Sequence, residues 1–135
     1  MKIVGISHPI PTKYAERIYN NGKDVFVGKS LLNKANIGDK FIIYESHGAM
    51  AYTGWADIKS IGRQNTSSIP KKYGKNLMIS KEELIEYAKG KREMNIIEFE
   101  NFEKFNKPVK PKQFVTVTGK YIYEDEFKMI KENKG

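Results

Sequence analysis

Lys23 and Asp24 stand side by side ahead of a short apolar run, Val25-Phe26-Val27, that closes with Gly28-Lys29. A lysine beside a carboxylate at a pocket mouth has two chemical uses. A desolvated amine acts as a base or electrostatic stabiliser while the carboxylate orients it, or the pair binds polar groups of a ligand. His8 and Lys13 fall at the first strand-to-helix junction, and Tyr44 and Ser46 at the end of the strand that begins at Lys40. Together these residues are candidates for one ligand-binding mouth. Trp55, the sole tryptophan, either packs in the core or stacks a base.

Other chemistry is excluded or disfavoured. The chain has no cysteine and only two histidines, so thiolate sites are ruled out and a protein-only zinc site would need carboxylate support; no metal or cofactor is expected. Ser7-His8 and Ser46-His47 are sequence neighbours, but adjacent side chains on a strand point to opposite faces, which argues against a serine-histidine pair. Gly28-Lys29-Ser30 lacks the glycine five residues earlier that a phosphate-cradling loop requires.

Charge is distributed unevenly. A net charge of +8 is concentrated in two windows without carboxylates. The first, between Asp57 and Glu82, holds Arg63, Lys71, Lys72 and Lys75; the second, between Glu103 and Glu124, holds Lys110 and Lys112. Such clusters attract nucleic acid because neutralising phosphates releases condensed counterions. The competing reading is a lysine-rich solvated surface, since only three of the basic residues are arginines. No apolar run approaches the roughly 20 residues of a membrane-spanning helix, and the chain reads as cytoplasmic, with residues 1–135 forming one domain.

The elements that must position these residues follow from pattern. A strand over Lys2–Ser7 is expected to stop at His8-Pro9-Ile10-Pro11. Thr12 is placed as the cap of a helix with Glu16 near its start, and Asn21-Gly22 ends it. Strands are expected at Asp24–Val27, Lys40–Glu45 and Ala51–Ile58, followed by a polar surface loop over Ser60–Lys75. Ser80 and Glu83 have the spacing of a capping box, with Leu84, Tyr87 and Ala88 as the buried stripe behind it. A strand over Met94–Phe102, another over Phe114–Thr118 and a charged tail from Glu124, either docked helix or frayed end, complete the chain. Short strands separated by turn signals suit an α+β fold built on a small, closed or half-closed mixed β-barrel with two or three flanking helices.

The order of a helix ending in glycine, the Gly22–Lys29 segment, and an Asp39–Ser46 strand ending Tyr44-x-Ser46 resembles PUA-like domains, in particular the ASCH and EVE branches, and the whole chain resembles an uncharacterised archaeal PUA-like family. In ASCH-like proteins the matching segment reads Gly-x-Lys, then an acid, then arginine; here lysine follows glycine directly and Lys29 takes the approximate place of the arginine. The resemblance implies a pocket for a base or modified base. It points to an RNA-binding module, with RNA (tRNA among the candidates) or a modified nucleotide as partner and the lysine windows holding phosphates. The alternative is a small amidohydrolase-type enzyme acting on a modified nucleoside through Lys23 and Asp24; a protein partner is the third option.

Overall fold

The computed structural model describes residues 2–30, 32–113 and 115–135. In chain order the elements are β1 (Ile3–Ile10), α1 (Thr12–Asn21), β2 (Val25–Gly28), β3 (Lys40–Glu45), β4 (Tyr52–Asn65), a 3₁₀ turn (Thr66–Ser68), α2 (Ile69–Tyr73), α3 (Lys81–Ala88), β5 (Glu93–Val109), β6 (Lys120–Tyr123) and α4 (Glu124–Asn133). The six strands form one mixed sheet in the order β2-β5-β4-β3-β1-β6; β1 and β3 are parallel and every other pair is antiparallel. The α+β class therefore holds. The ladder ends at β2 and β6, and no further pairing among the described residues closes it into the expected barrel.

Side-chain alternation gives the sheet two cores. Phe41 and Ile43 of β3 join Ile6, Ile10, Phe26, Ile97 and Phe99 on one face, together with α1 and α3. Ile42 and Tyr44 join Tyr52, Trp55, Phe105, Ile122 and Ile130 on the other, where α4 covers them. On the first face the His8 and Phe26 rings stack at 4.7 Å. Their strands are four pairings apart in the ladder, which would separate them by about 19 Å in a flat sheet at roughly 4.8 Å per strand. The sheet is therefore deeply curved around this aromatic core. Register shifts at three points along β4 and β5 provide bends of the kind that curve long strands.

Several boundaries differ from the sequence reading for identifiable reasons. β1 continues through Pro9 because β6 pairs only as far as Ser7, so the missing proline N–H faces an unpaired edge. Ser60–Asn65 is not loop but the second half of β4, paired along β5 to Asn65↔Glu93; one polar face of a hairpin this long reads as loop in a single sequence. The residues after it form the 3₁₀ turn and α2. The strand placed over Phe114–Thr118 is not formed at Val115–Thr118, where a turn is closed by Gly119 N–H donating to Thr116 O at 2.9 Å, while Phe114 lies outside the described residues. The tail is a docked helix. The cap of α1 is Pro11, without a side-chain cap bond; Thr12 instead donates its hydroxyl to Glu45 Oε1 at 2.8 Å and Glu16 sits beyond the first turn. Gly22 (φ 64°) ends α1 as the sequence indicates.

Beneath α4, Tyr52 donates its hydroxyl to Glu126 Oε2 at 2.7 Å and Lys120 Nζ lies 2.9 Å from Glu126 Oε1. Glu126 is almost wholly buried, so these two partners compensate its charge. Replacing Lys120 by methionine leaves that carboxylate short of a countercharge and is expected to lower unfolding stability by about 3 kcal/mol, measured by urea denaturation.

Candidate functional site

Where β1 runs into α1, the chain borders a cavity of about 180 Å³. Its apolar walls come from Pro9 and Ile10, from Phe26 and Val27 of β2, and from Met78 and Ile79 in the segment ahead of α3; Tyr14 and Tyr87 stand at its sides. That volume is close to the 150 Å³ or so in which a buried cavity accepts one benzene ring, so it suits a single heterocycle rather than a large ligand. Polar groups are few: His8, Lys29, Ser30 and Glu83.

His8 is 4% exposed, with Phe26 stacked on its face and Phe41 tilted at 6.3 Å. Burial pushes its pKa down to about 4, so the ring is a neutral imidazole carrying one donor and one acceptor. The turn into β6 closes against it: a Cβ on Gly119 would lie 2.6 Å from Ser7 O and 2.8 Å from His8 Nδ1, and Gly119 has φ +79°. Glycine is required there for both space and backbone conformation. Val117, two residues earlier, is 89% exposed and forms a lip of the cavity.

Glu83 fixes the opposite wall. The capping box that the sequence signals is present, with Ser80 Oγ accepting from Glu83 N–H at 3.1 Å and Ser80 N–H donating to Glu83 Oε1 at 2.7 Å. The same carboxylate accepts from Arg17 at 2.5 and 3.1 Å and pairs with Lys13 at 2.9 Å. Arg17 chiefly, then Ser80 and Lys13, hold its pKa well below the usual carboxylate range. Arg17 also donates to Met78 O at 3.0 Å, so one side chain ties α1 to two parts of the cavity wall. Lys29, at the mouth, has its Nζ 4.8 Å from the centroid of the Tyr87 ring and no carboxylate within 4 Å among the described residues. Burial raises the Tyr87 pKa.

The structure brings together only part of the candidate set. His8 lines the cavity and Lys13 reaches its wall through Glu83. Lys23 turns away, donating from Nζ to Lys75 O at 2.5 Å, and Asp24 Oδ1 is buried without a hydrogen-bond partner. Tyr44 is buried in the second core, edge-on to Tyr52 at 6.2 Å, on the face of the sheet opposite the cavity. Trp55 lies in the same core, 5% exposed, stacked on Phe127 at 5.3 Å with Nε1–H donating to Glu103 Oε1 at 3.1 Å, so its ring is packed inside the protein. Ser46 is in an exposed turn beside His47 Nδ1 at 3.2 Å. The mouth expected from Lys23, Tyr44 and Ser46 is therefore not assembled, because strand alternation sends Tyr44 to the other face.

The basic residues also divide. Lys71 and Lys72 on α2 and Lys75 just after it gather beside Glu98. Arg63 lies 3.6 Å from Glu93, Lys112 lies 3.5 Å from Asp125, and Lys110 Nζ donates to Ala49 O at 3.4 Å. Sequence reasoning missed Phe26, Tyr87 and Val117 as cavity residues. Tyr87 follows Glu83 by one helical turn, which was a usable signal; nothing local marked Val117.

This curved mixed sheet has the fold of an ASCH protein of known structure. The ASCH protein of Zymomonas mobilis superposes with a TM-score of 0.86 at 12% identity, covering 96% of this chain and 95% of that one, and a Tyr-to-Phe variant of it gives 0.85 over 96% and 98%. At the level of sequence, residues 3–124 match "Domain of unknown function (DUF365)", and the chain belongs to that family. A relative from Methanocaldococcus jannaschii, "Uncharacterized protein MJECS03", is 34% identical over 103 residues, spanning 67% of this chain and 95% of that protein.

Two outcomes follow from the wall chemistry. Because His8 protonates less readily folded than unfolded, stability is full above its ordinary pKa of 6.5 and falls as pH drops from there toward 4, by about 3 kcal/mol at most. Glu83, depressed, adds its own loss only below the ordinary carboxylate range. Denaturation series at successive pH values are expected to show the first loss in the wild type and not in His8→Phe. Arg17→Ala is expected to cost about 2 kcal/mol, read as a shifted urea midpoint, because it strips two charged hydrogen bonds from Glu83.

Proposed function

We propose that the protein is an RNA-binding module whose cavity receives one nucleobase, plain or modified. The observation that carries this reading is the combination of a one-ring apolar cavity, a neutral histidine inside it, and an unneutralised Lys29 at its mouth. A base enters the apolar slot beside Tyr14 and Tyr87 and hydrogen-bonds to His8, while Lys29 attracts the attached phosphate. Phosphate contacts then supply affinity and the cavity supplies selection. A net charge of +8 favours the same polyanionic partner, tRNA included.

The hydrolase reading has less support. Lys23, the amine it would use as base, is engaged with Lys75 O outside the cavity, and the Glu83 carboxylate in the wall is already held by Arg17, Lys13 and Ser80.

Fluorescence anisotropy with labelled single-stranded RNA and with duplex DNA of equal length, at low and physiological salt, tests the proposal. The RNA is expected to remain bound at physiological salt, and Lys29→Glu to weaken it by about tenfold. Equal binding of RNA and duplex DNA, lost together at physiological salt and indifferent to Lys29→Glu, would overturn it.

A further inference from the structure

Beyond the cavity, the exit path of a bound strand is written in the charges around α3. The outer crest of that helix carries Glu82 and Glu86, both exposed, which repel phosphates. Around its C-terminal end the sign reverses. Lys89 caps the helix in the left-handed conformation (φ 46°), and Lys91 and Arg92 follow after Gly90, all exposed. None of the three forms an ion pair among the described residues, and neither does Lys81 on the same side of α3. By contrast Lys112, Lys120 and Lys134 in the second half of the chain each have a carboxylate partner.

The backbone beneath these cations is fixed in advance. Thr66 donates its N–H to Arg92 O and its hydroxyl to Lys91 O, each at 2.7 Å, and Lys91 N–H donates to Ala88 O at 3.0 Å. The ridge borders a groove between α3 and the 3₁₀ turn, with Lys81, Lys91 and Arg92 on its walls and the polar side chains of Asn65, Thr66 and Ser67 at its head. Tyr87, which flanks the cavity, stands just ahead of the ridge on the same helix.

We infer that an RNA strand whose base occupies the cavity leaves it around the C-terminal end of α3, its phosphates held by Lys89, Lys91 and Arg92 and its sugars running into the groove beside Thr66 and Ser67. The inference rests on the cavity reading above and assigns the flanking phosphates to Lys89, Lys91 and Arg92, which lie outside both lysine windows. RNA is favoured over an acidic peptide because Tyr87, which flanks the cavity, precedes Lys89 by two residues and the groove sets cations beside hydroxyl and amide groups of the kind that contact sugar and phosphate.

The test compares uridine 5′-monophosphate with an oligouridylate of about eight nucleotides, a length within the usual single-strand site size. Lys91→Glu with Arg92→Glu is expected to weaken the oligonucleotide by more than about tenfold and to flatten its salt dependence by about 1.4 in log–log slope, as two lost phosphate contacts require. Lys91→Ala with Arg92→Ala should act in the same direction and less strongly. Monophosphate affinity should stay within about twofold, and Lys110→Glu with Lys112→Glu should leave the oligonucleotide within the same margin. Oligonucleotide binding that ignores the ridge variants, that falls equally in the Lys110/Lys112 variant, or that polyglutamate displaces as well as RNA does would overturn the inference. Loss of monophosphate binding in the wild type, with oligonucleotide binding still dependent on the ridge, would count against the cavity and support the ridge.

Discussion

The stacking of His8 on Phe26, with Phe41 and Phe99 continuing the cluster at 5.2 and 5.1 Å, holds the molecule's curvature. β2 and β1 share no hydrogen bonds, so nothing in the ladder keeps them close. The aromatic rings do so instead, and aromatic pairs of this kind contribute about 1 kcal/mol each beyond the area they bury. The cavity is the upper edge of this cluster. A ligand ring entering it meets the same His8 and Phe26 that keep the sheet rolled, so the fold and the candidate site share their central residues.

The rest of the cavity is supplied by an insertion. Between the paired ends of β4 and β5 the chain forms the 3₁₀ turn, α2 and α3, and returns. On the way Leu77 bridges Val25 and Met78 N–H donates to Val25 O at 3.1 Å, so the insertion lies against the outer edge of β2. Glu83 then fastens it to α1 through Arg17 and Lys13. A carboxylate so committed works as a structural anchor, which leaves the neutral His8, Ser30 and Lys29 as the groups free to meet a ligand. A neutral interior and positive charge at the rim are the features on which the proposed binding of a base on a phosphate backbone rests.

Much of this was legible from local pattern. The capping box at Ser80–Glu83, the glycine stop at Gly22 and the Lys40–Glu45 strand all have short-range signatures. The likeness to ASCH proteins was carried by the resemblance of the Gly22–Ser46 stretch to that family, whereas pattern alone suggested a barrel that the ladder does not close. What local pattern could not supply was the face each strand presents. Tyr44 lies in the right strand and Ser46 in the turn just after it, yet Tyr44 alternates onto the α4 side, while Phe26 alternates inward. Glu83 was visible as a cap but its second duty to Arg17 depends on a contact 66 residues distant in sequence. Val117 read as strand because its neighbours are β-branched; the left-handed Gly119 and the turn before it decided otherwise.

The central claim is that a base enters the cavity and meets His8. Long-range ¹H–¹⁵N spectra of the histidine side chains during titration with uridine 5′-monophosphate read that contact directly, with His47, in its exposed turn, as internal reference. The account requires saturable shifts of the His8 ring nitrogens with His47 unchanged. Saturable RNA binding that leaves the His8 nitrogens unmoved would contradict it and place recognition on the lysine-rich surface alone.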